Sequence, residues 1–114
     1  MDMASGAQLS VTELRRSTRH PVQYRALGEH RRLGDIEMEI VNVSAHGFMA
    51  SANVELGRGE RVIVRLPHVG RIEAHLIWIT PDRAGFQFER IIRLDDFTAM
   101  IEALQPNARL RRER

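Results

Sequence analysis

The 114-residue sequence has no cysteine and no lysine, and only 5% of it is aromatic. Without cysteine there is no disulfide framework, no thiolate metal site and no cysteine nucleophile, a usage that fits a reducing cytoplasm. No apolar run approaches the roughly 20 residues that a membrane-spanning helix needs. The first residues also lack the basic and apolar blocks of a signal peptide. A soluble, cytoplasmic protein without membrane insertion is therefore expected. The scarcity of aromatic residues argues against a barrel that binds single-stranded nucleic acid, because such proteins stack bases on several exposed rings along a basic groove. The five histidines do not pair with carboxylates in a way that suggests a metal site, and none is expected.

What the chain has instead is arginine. All 17 basic residues are arginine against 15 acidic ones, so the formal net charge is only +2 while the pI is about 10.3. Arginine suits forked, planar recognition of phosphate and stacking on aromatic faces, although codon usage in a GC-rich genome is the simpler cause of the excess. The charge is spread along the chain, so neither DNA nor RNA is expected as a partner.

The length corresponds to one domain able to bury its own core. Residues 1–10 are small and polar, without periodicity, and are expected to be disordered. Residues 11–18 carry Arg15, Arg16 and too few apolar positions for a packed helix. The His20-Pro21 step then favours extended backbone. Residues 21–27 are expected to form a first strand with Val22 and Tyr24 on one face, and residues 28–34, glycine at both ends, a hairpin connector. In residues 35–43, Ile36, Met38 and Ile40 alternate with Glu37 and Glu39, the pattern of an antiparallel strand with one wet side. Residues 48–52 give another strand. Val62, Val64 and Leu66 then line one face, as do Ile72, Ala74, Leu76 and Trp78, and a last strand carries Phe86 and Phe88. Trp78 is expected in the core. Beyond Leu94 the period becomes helical, with Phe97, Met100, Ile101 and Leu104 on one face, Asp95 as the expected cap and Pro106 as the stop. Six short strands punctuated by turns predict an all-β-dominated fold, a six-stranded antiparallel barrel with one C-terminal helix.

Two stretches carry the chemistry. In Asn42-Val43-Ser44-Ala45-His46-Gly47, the amide and the hydroxyl stand two residues apart and share a side of an extended chain, and Gly47 permits a turn or a close approach. Upstream, Arg15 and Arg19 form an Arg-x-x-x-Arg fork in a loop, with Arg16 between them. Four residues apart on extended backbone, these guanidinium groups reach points roughly 13 Å apart. Given the arginine content, roughly two Arg-x-x-x-Arg pairs arise by chance, and Arg61 and Arg65 make a second one. The chance expectation for Asp/Asn-x-Ser-x-x-Gly is roughly 0.02, so that motif carries the information. Ser44 beside His46 does not make a nucleophile elbow, because Gly-x-Ser-x-Gly is missing, and no catalytic residue is expected. His46 is expected to be an exposed turn residue.

Together the two motifs resemble the PilZ domain family, and the likeness extends through Val62, Val64 and Leu66, Ala74 to Trp78, and Gly85-Phe86-x-Phe88. The resemblance covers about residues 14–89 and, joined to the pattern of strands and helix above, gives an expected domain over residues 11–105, with a switch loop at 11–20, a barrel at 21–90, a helix at 95–104 and a basic tail at 106–114. It implies a bacterial receptor that binds the second messenger cyclic di-GMP through Arg15, Arg16, Arg19, Asn42, Ser44 and Gly47, needs no cofactor, and orders its arginine loop over the ligand to signal to a downstream protein. Leu14, which cannot add another guanidinium before the first motif arginine, tilts the expectation toward one ligand, while Arg16 keeps an intercalated pair open. The alternatives are a PilZ-like protein-interaction module that does not bind nucleotide and, less favoured, a single-stranded nucleic-acid barrel.

Overall fold

The alternation in the sequence builds six strands: β1 (His20–His30), β2 (Gly34–Val43), β3 (Gly47–Ala52), β4 (Arg61–Leu66), β5 (Gly70–Ile79) and β6 (Ala84–Phe88), followed by one helix, α1 (Leu94–Leu104). These come from a computed structural model in which residues 18–52 and 55–105 are described. The expected disordered segment 1–10, the part of the switch loop holding Arg15 and Arg16, and the tail 106–114 lie outside the described residues. Hydrogen bonding closes the strands into an antiparallel barrel in the order β1-β2-β3-β6-β5-β4. Closure pairs the edges that an open sheet of this size would expose.

The inward faces are those the alternation indicates. Ile36, Met38 and Ile40, Val62, Val64 and Leu66, Ile72, Ala74 and Leu76, and Phe86 and Phe88 are all at most 3% exposed. Phe48 stacks on Phe86 with centroids 4.8 Å apart, at the middle of this core. From α1, Phe97, Met100 and Leu104 enter the same cluster. The ring of His20, the first residue of β1, meets Phe97 edge-on at 5.5 Å. The helix therefore sits where β1 begins. Among the described residues no helix is long and apolar enough to cross a membrane.

Three local expectations are corrected. Residues 28–34 are not all connector: β1 continues to His30, and only residues 31–33 turn. Gly28 lies inside the strand because there is no room beside it; a Cβ there would come within 2.7 Å of Met38 Sδ and 3.4 Å of Val62 Cβ. Asp95 does not cap α1. Arg93 is the N-cap residue and makes no side-chain cap, while Asp95 and Asp96 lie in the first turn, where carboxylates offset the positive end of the helix dipole. Trp78 is not in the core: the β5–β6 register shifts between Leu76 and Trp78, and the indole is half-buried on the outside. A bulge inserts one extra residue and reverses the face of everything after it.

At the β1–β2 turn, His30 and Glu60 are fully engaged. His30 Nδ1 accepts from the N–H groups of Arg32 and Leu33, both at 3.0 Å. The ring hydrogen therefore sits on Nε2 and is donated to Glu60 Oε1 at 2.6 Å. Glu60 Oε1 also accepts from Arg32 Nη2 at 3.1 Å, and Oε2 from the Gly57 N–H at 2.8 Å. His30 and Glu60 thus fasten the β1–β2 turn to the turn before β4.

Candidate functional site

The site is built at the opposite end of the β1–β2 hairpin. Here the β2–β3 register shifts between Ile40 and Asn42, so Ile40 and Val43 both point inward, each 0% exposed, while Asn42 faces the outer wall. Residues 44–47 then form a tight turn. The Ser44 N–H donates to the Gly47 carbonyl at 2.8 Å, and the His46 N–H donates to Ser44 Oγ at 3.1 Å, the local bond that favours serine in turns. The carbonyls of Ala45 and His46 accept from the N–H groups of Ile92 at 2.9 Å and Phe88 at 2.8 Å. These two bonds fix the turn to β6 and to the segment leading into α1.

Ser44 is only 3% exposed. Its oxygen serves its own turn, and its O–H remains a donor. Gly47 is required by packing: a Cβ there would collide with the Phe86 carbonyl on β6. Its φ is not in the left-handed region, unlike those of Gly34, Gly59 and Gly70, so close approach of two strands accounts for the glycine without unusual dihedrals.

Arg19, exposed just before β1, places Nη1 2.8 Å from Asn42 Oδ1, across 23 residues of sequence. The second arginine of the upstream pair and the first residue of the downstream motif therefore meet directly. Asn42 Nδ2 points at Met49 Sδ, 3.7 Å away. From there the strand register defines a row across the outer wall. Asn42 stands opposite Met49, Met49 opposite Gly85, and Gly85 opposite Trp78, and directly opposed residues share a face of the sheet. A Cβ on Gly85 would fall within the indole of Trp78. The ring therefore lies across the bare backbone of β6, towards Met49. The result is a flat apolar strip three strands wide, with an amide and a guanidinium at one end.

A profile of the PilZ domain matches residues 13–104. The chain belongs to the PilZ domain family. PilZ domains are binding modules, a family of cyclic di-GMP receptors rather than catalysts. No curated protein matches the chain. The match spans the six motif positions singled out from the sequence. Four of them, Arg19, Asn42, Ser44 and Gly47, are gathered at one end of this PilZ barrel, whereas Arg15 and Arg16 lie outside the described residues. Sequence reasoning did not place Met49, Gly85 and Trp78 beside these four residues. The available signal was Gly85, since a glycine inside a strand marks a bulge or a close approach by another group.

Proposed function

We propose that this PilZ domain is a non-catalytic receptor that binds cyclic di-GMP on the outer wall beside Asn42 and presents the loaded surface to a partner protein. The observation that carries this reading is the Arg19–Asn42 hydrogen bond, which joins the two motifs at the edge of a strip suited to stacking. Cyclic di-GMP offers two phosphates and two guanine faces. Arg19, with Arg15 and Arg16 preceding it, supplies forked donors for phosphate oxygens or for guanine O6 and N7. Asn42 and the Ser44 O–H supply hydrogen bonds, and Gly47 lets β3 lie close enough to β6 to complete that wall. One guanine stacks on Trp78, with Met49 alongside. Binding brings the segment carrying Arg15 and Arg16 over the ligand, so free and loaded proteins differ in the surface they offer, a population shift driven by the ligand's preference for the closed arrangement.

Charge-assisted bonds contribute about 1.5–3 kcal/mol each, and a few of them reach micromolar affinity, about −8 kcal/mol, after ordering costs. Isothermal titration of the full chain with cyclic di-GMP tests the reading. Arg15→Ala and Arg19→Ala should each weaken binding by about 10- to 100-fold, and Ser44→Ala by less. Unchanged affinity in all three variants would end the assignment.

A second reading, an interaction module that does not bind nucleotide, is favoured by one observation. The burial of Ser44 and the collision at Gly47 already account for two motif residues through the fold alone. Retained capture of a partner alongside undetectable nucleotide binding would support it.

A further inference from the structure

We infer that Gln87 and His75 form the polar edge that distinguishes the purine stacked on Trp78, an inference that rests on the cyclic di-GMP reading above. The outer wall carries a second row beside the stacking strip. Gly47 stands opposite Gln87, Gln87 opposite His75, and His75 opposite Arg61. On β3 and β6 this row lies two residues along from Met49 and Gly85, about 7 Å at the rise of an extended strand. That distance is comparable with the width of a purine. A base lying over the indole and Gly85 therefore ends with its polar edge above Gln87 and His75.

The side chains of this row are free to meet such an edge. Gln87 is exposed and His75 half-buried. Among the described residues neither side chain has a hydrogen bond or an ion pair, whereas Arg61 at the far end is held by Glu73 at 2.8 Å. On the other flank of the strip, Arg25, Glu39 and Ser51 also stand opposite one another on β1, β2 and β3. That row stops short of the indole, because the pairing of β3 with β6 ends at Ala50 and Ala84. Only the row of Gln87 and His75 follows the stacking strip across β3, β6 and β5.

The chemistry matches. Guanine presents O6 and N7 as acceptors and N1–H and N2–H as donors, and adenine reverses the pattern at positions 6 and 1. A carboxamide offers two N–H donors and an acceptor oxygen, and an imidazole offers one of each when neutral. A base whose face is held by the indole but whose edge met only apolar groups would leave those donors and acceptors unpaired, which is where discrimination between bases arises.

The test compares the full chain binding cyclic di-GMP and cyclic di-AMP, by titration and by the fluorescence of Trp78, the single tryptophan. Gln87→Ala and His75→Ala should weaken cyclic di-GMP binding fivefold or more, with a smaller loss for cyclic di-AMP. Gln87→Glu keeps the shape of the side chain but leaves only acceptors. It should change the preference between the two ligands at least fivefold, upward if the residue faces N1–H and N2–H and downward if it faces O6. All three sit on the outer wall, and melting temperatures near wild type confirm that the fold is kept. If wild type binds cyclic di-GMP and the variants leave the preference unchanged, whether affinity holds or falls equally for both ligands, the edge assignment is overturned and the receptor reading stands. If wild type does not bind cyclic di-GMP, both fall.

Discussion

At one end of the β1–β2 hairpin, His30 commits both ring nitrogens and Glu60 both carboxylate oxygens to partners within the protein. At the other end, Arg19 and Asn42 share a single strong hydrogen bond, and the amide nitrogen of Asn42, with two N–H donors, finds among the described residues only a methionine sulfur at 3.7 Å. Nearby, Gln87 and His75 engage nothing among the described residues. The two ends belong to the same pair of strands, so strand chemistry does not explain the contrast. A network whose members are all satisfied holds two turns together and has nothing left to offer a ligand. A cluster whose members keep unused donors is poorly optimised for stability, and that is the condition for binding something else.

The largest effect should come from opening the closed end. His30 has a side chain only 5% exposed. His30→Ala would orphan the two N–H groups of residues 32 and 33 and remove the strongest partner of Glu60. A loss of about 2–3 kcal/mol of stability is expected, or roughly 10–20 °C in Tm at about 4–8 °C per kcal/mol. The affinity for cyclic di-GMP should stay within twofold of wild type. Denaturant unfolding and titration on the same sample check both halves. A large fall in affinity would erase the distinction between the two ends.

Trp78→Ala should show the reverse signature. The indole is half-buried and outside the core cluster, so stability should fall by less than in His30→Ala. The loss of one base-stacking contact, worth about 1–3 kcal/mol, should weaken cyclic di-GMP binding by about 5- to 150-fold. Trp78→Phe should recover part of it. If Trp78→Ala binds as well as wild type, the apolar strip is only a cover for Gly85.

How much of this was legible in the sequence follows from what is local. Strict alternation in Ile36, Met38 and Ile40 or in Val62, Val64 and Leu66 placed those side chains inside, and the change of period near Leu94 marked the helix. The paired motifs pointed to the family. Trp78 was misplaced because alternation assumes an unbroken register, and the bulge after Leu76 turned it outward. Gly28 passed for a turn residue because the crowding that demands it comes from Met38 and Val62, the second 34 residues away in sequence. The apolar strip was illegible for a similar reason. It exists because β3 pairs with β6 rather than with β4, an arrangement that no short window of sequence contains.

The smallest expected effect concerns the charge at the closed end. The Glu60 carboxyl is held below its ordinary range, first by the hydrogen bond from His30, then by the Gly57 N–H and the nearby Arg32 guanidinium, against a desolvation cost that acts the other way. A carboxylate whose folded-state pKa is depressed contributes stability that is fully present above its unfolded value, about 4.3 for glutamate, and that disappears as pH falls through the folded value. Glu60→Gln keeps an oxygen for His30 and removes the charge. Wild type should therefore melt above the variant at pH 7, and the gap should close progressively below about pH 4. The side chain is 29% exposed, so solvent screens these partners and the gap should be well below that of His30→Ala. Thermal melts of both proteins from pH 7 to pH 3 measure it. A gap that keeps its size into acid would mean that the turns are held by the shape of the hydrogen bonds rather than by the carboxylate's charge. The contrast between the two ends would then rest on satisfied geometry alone.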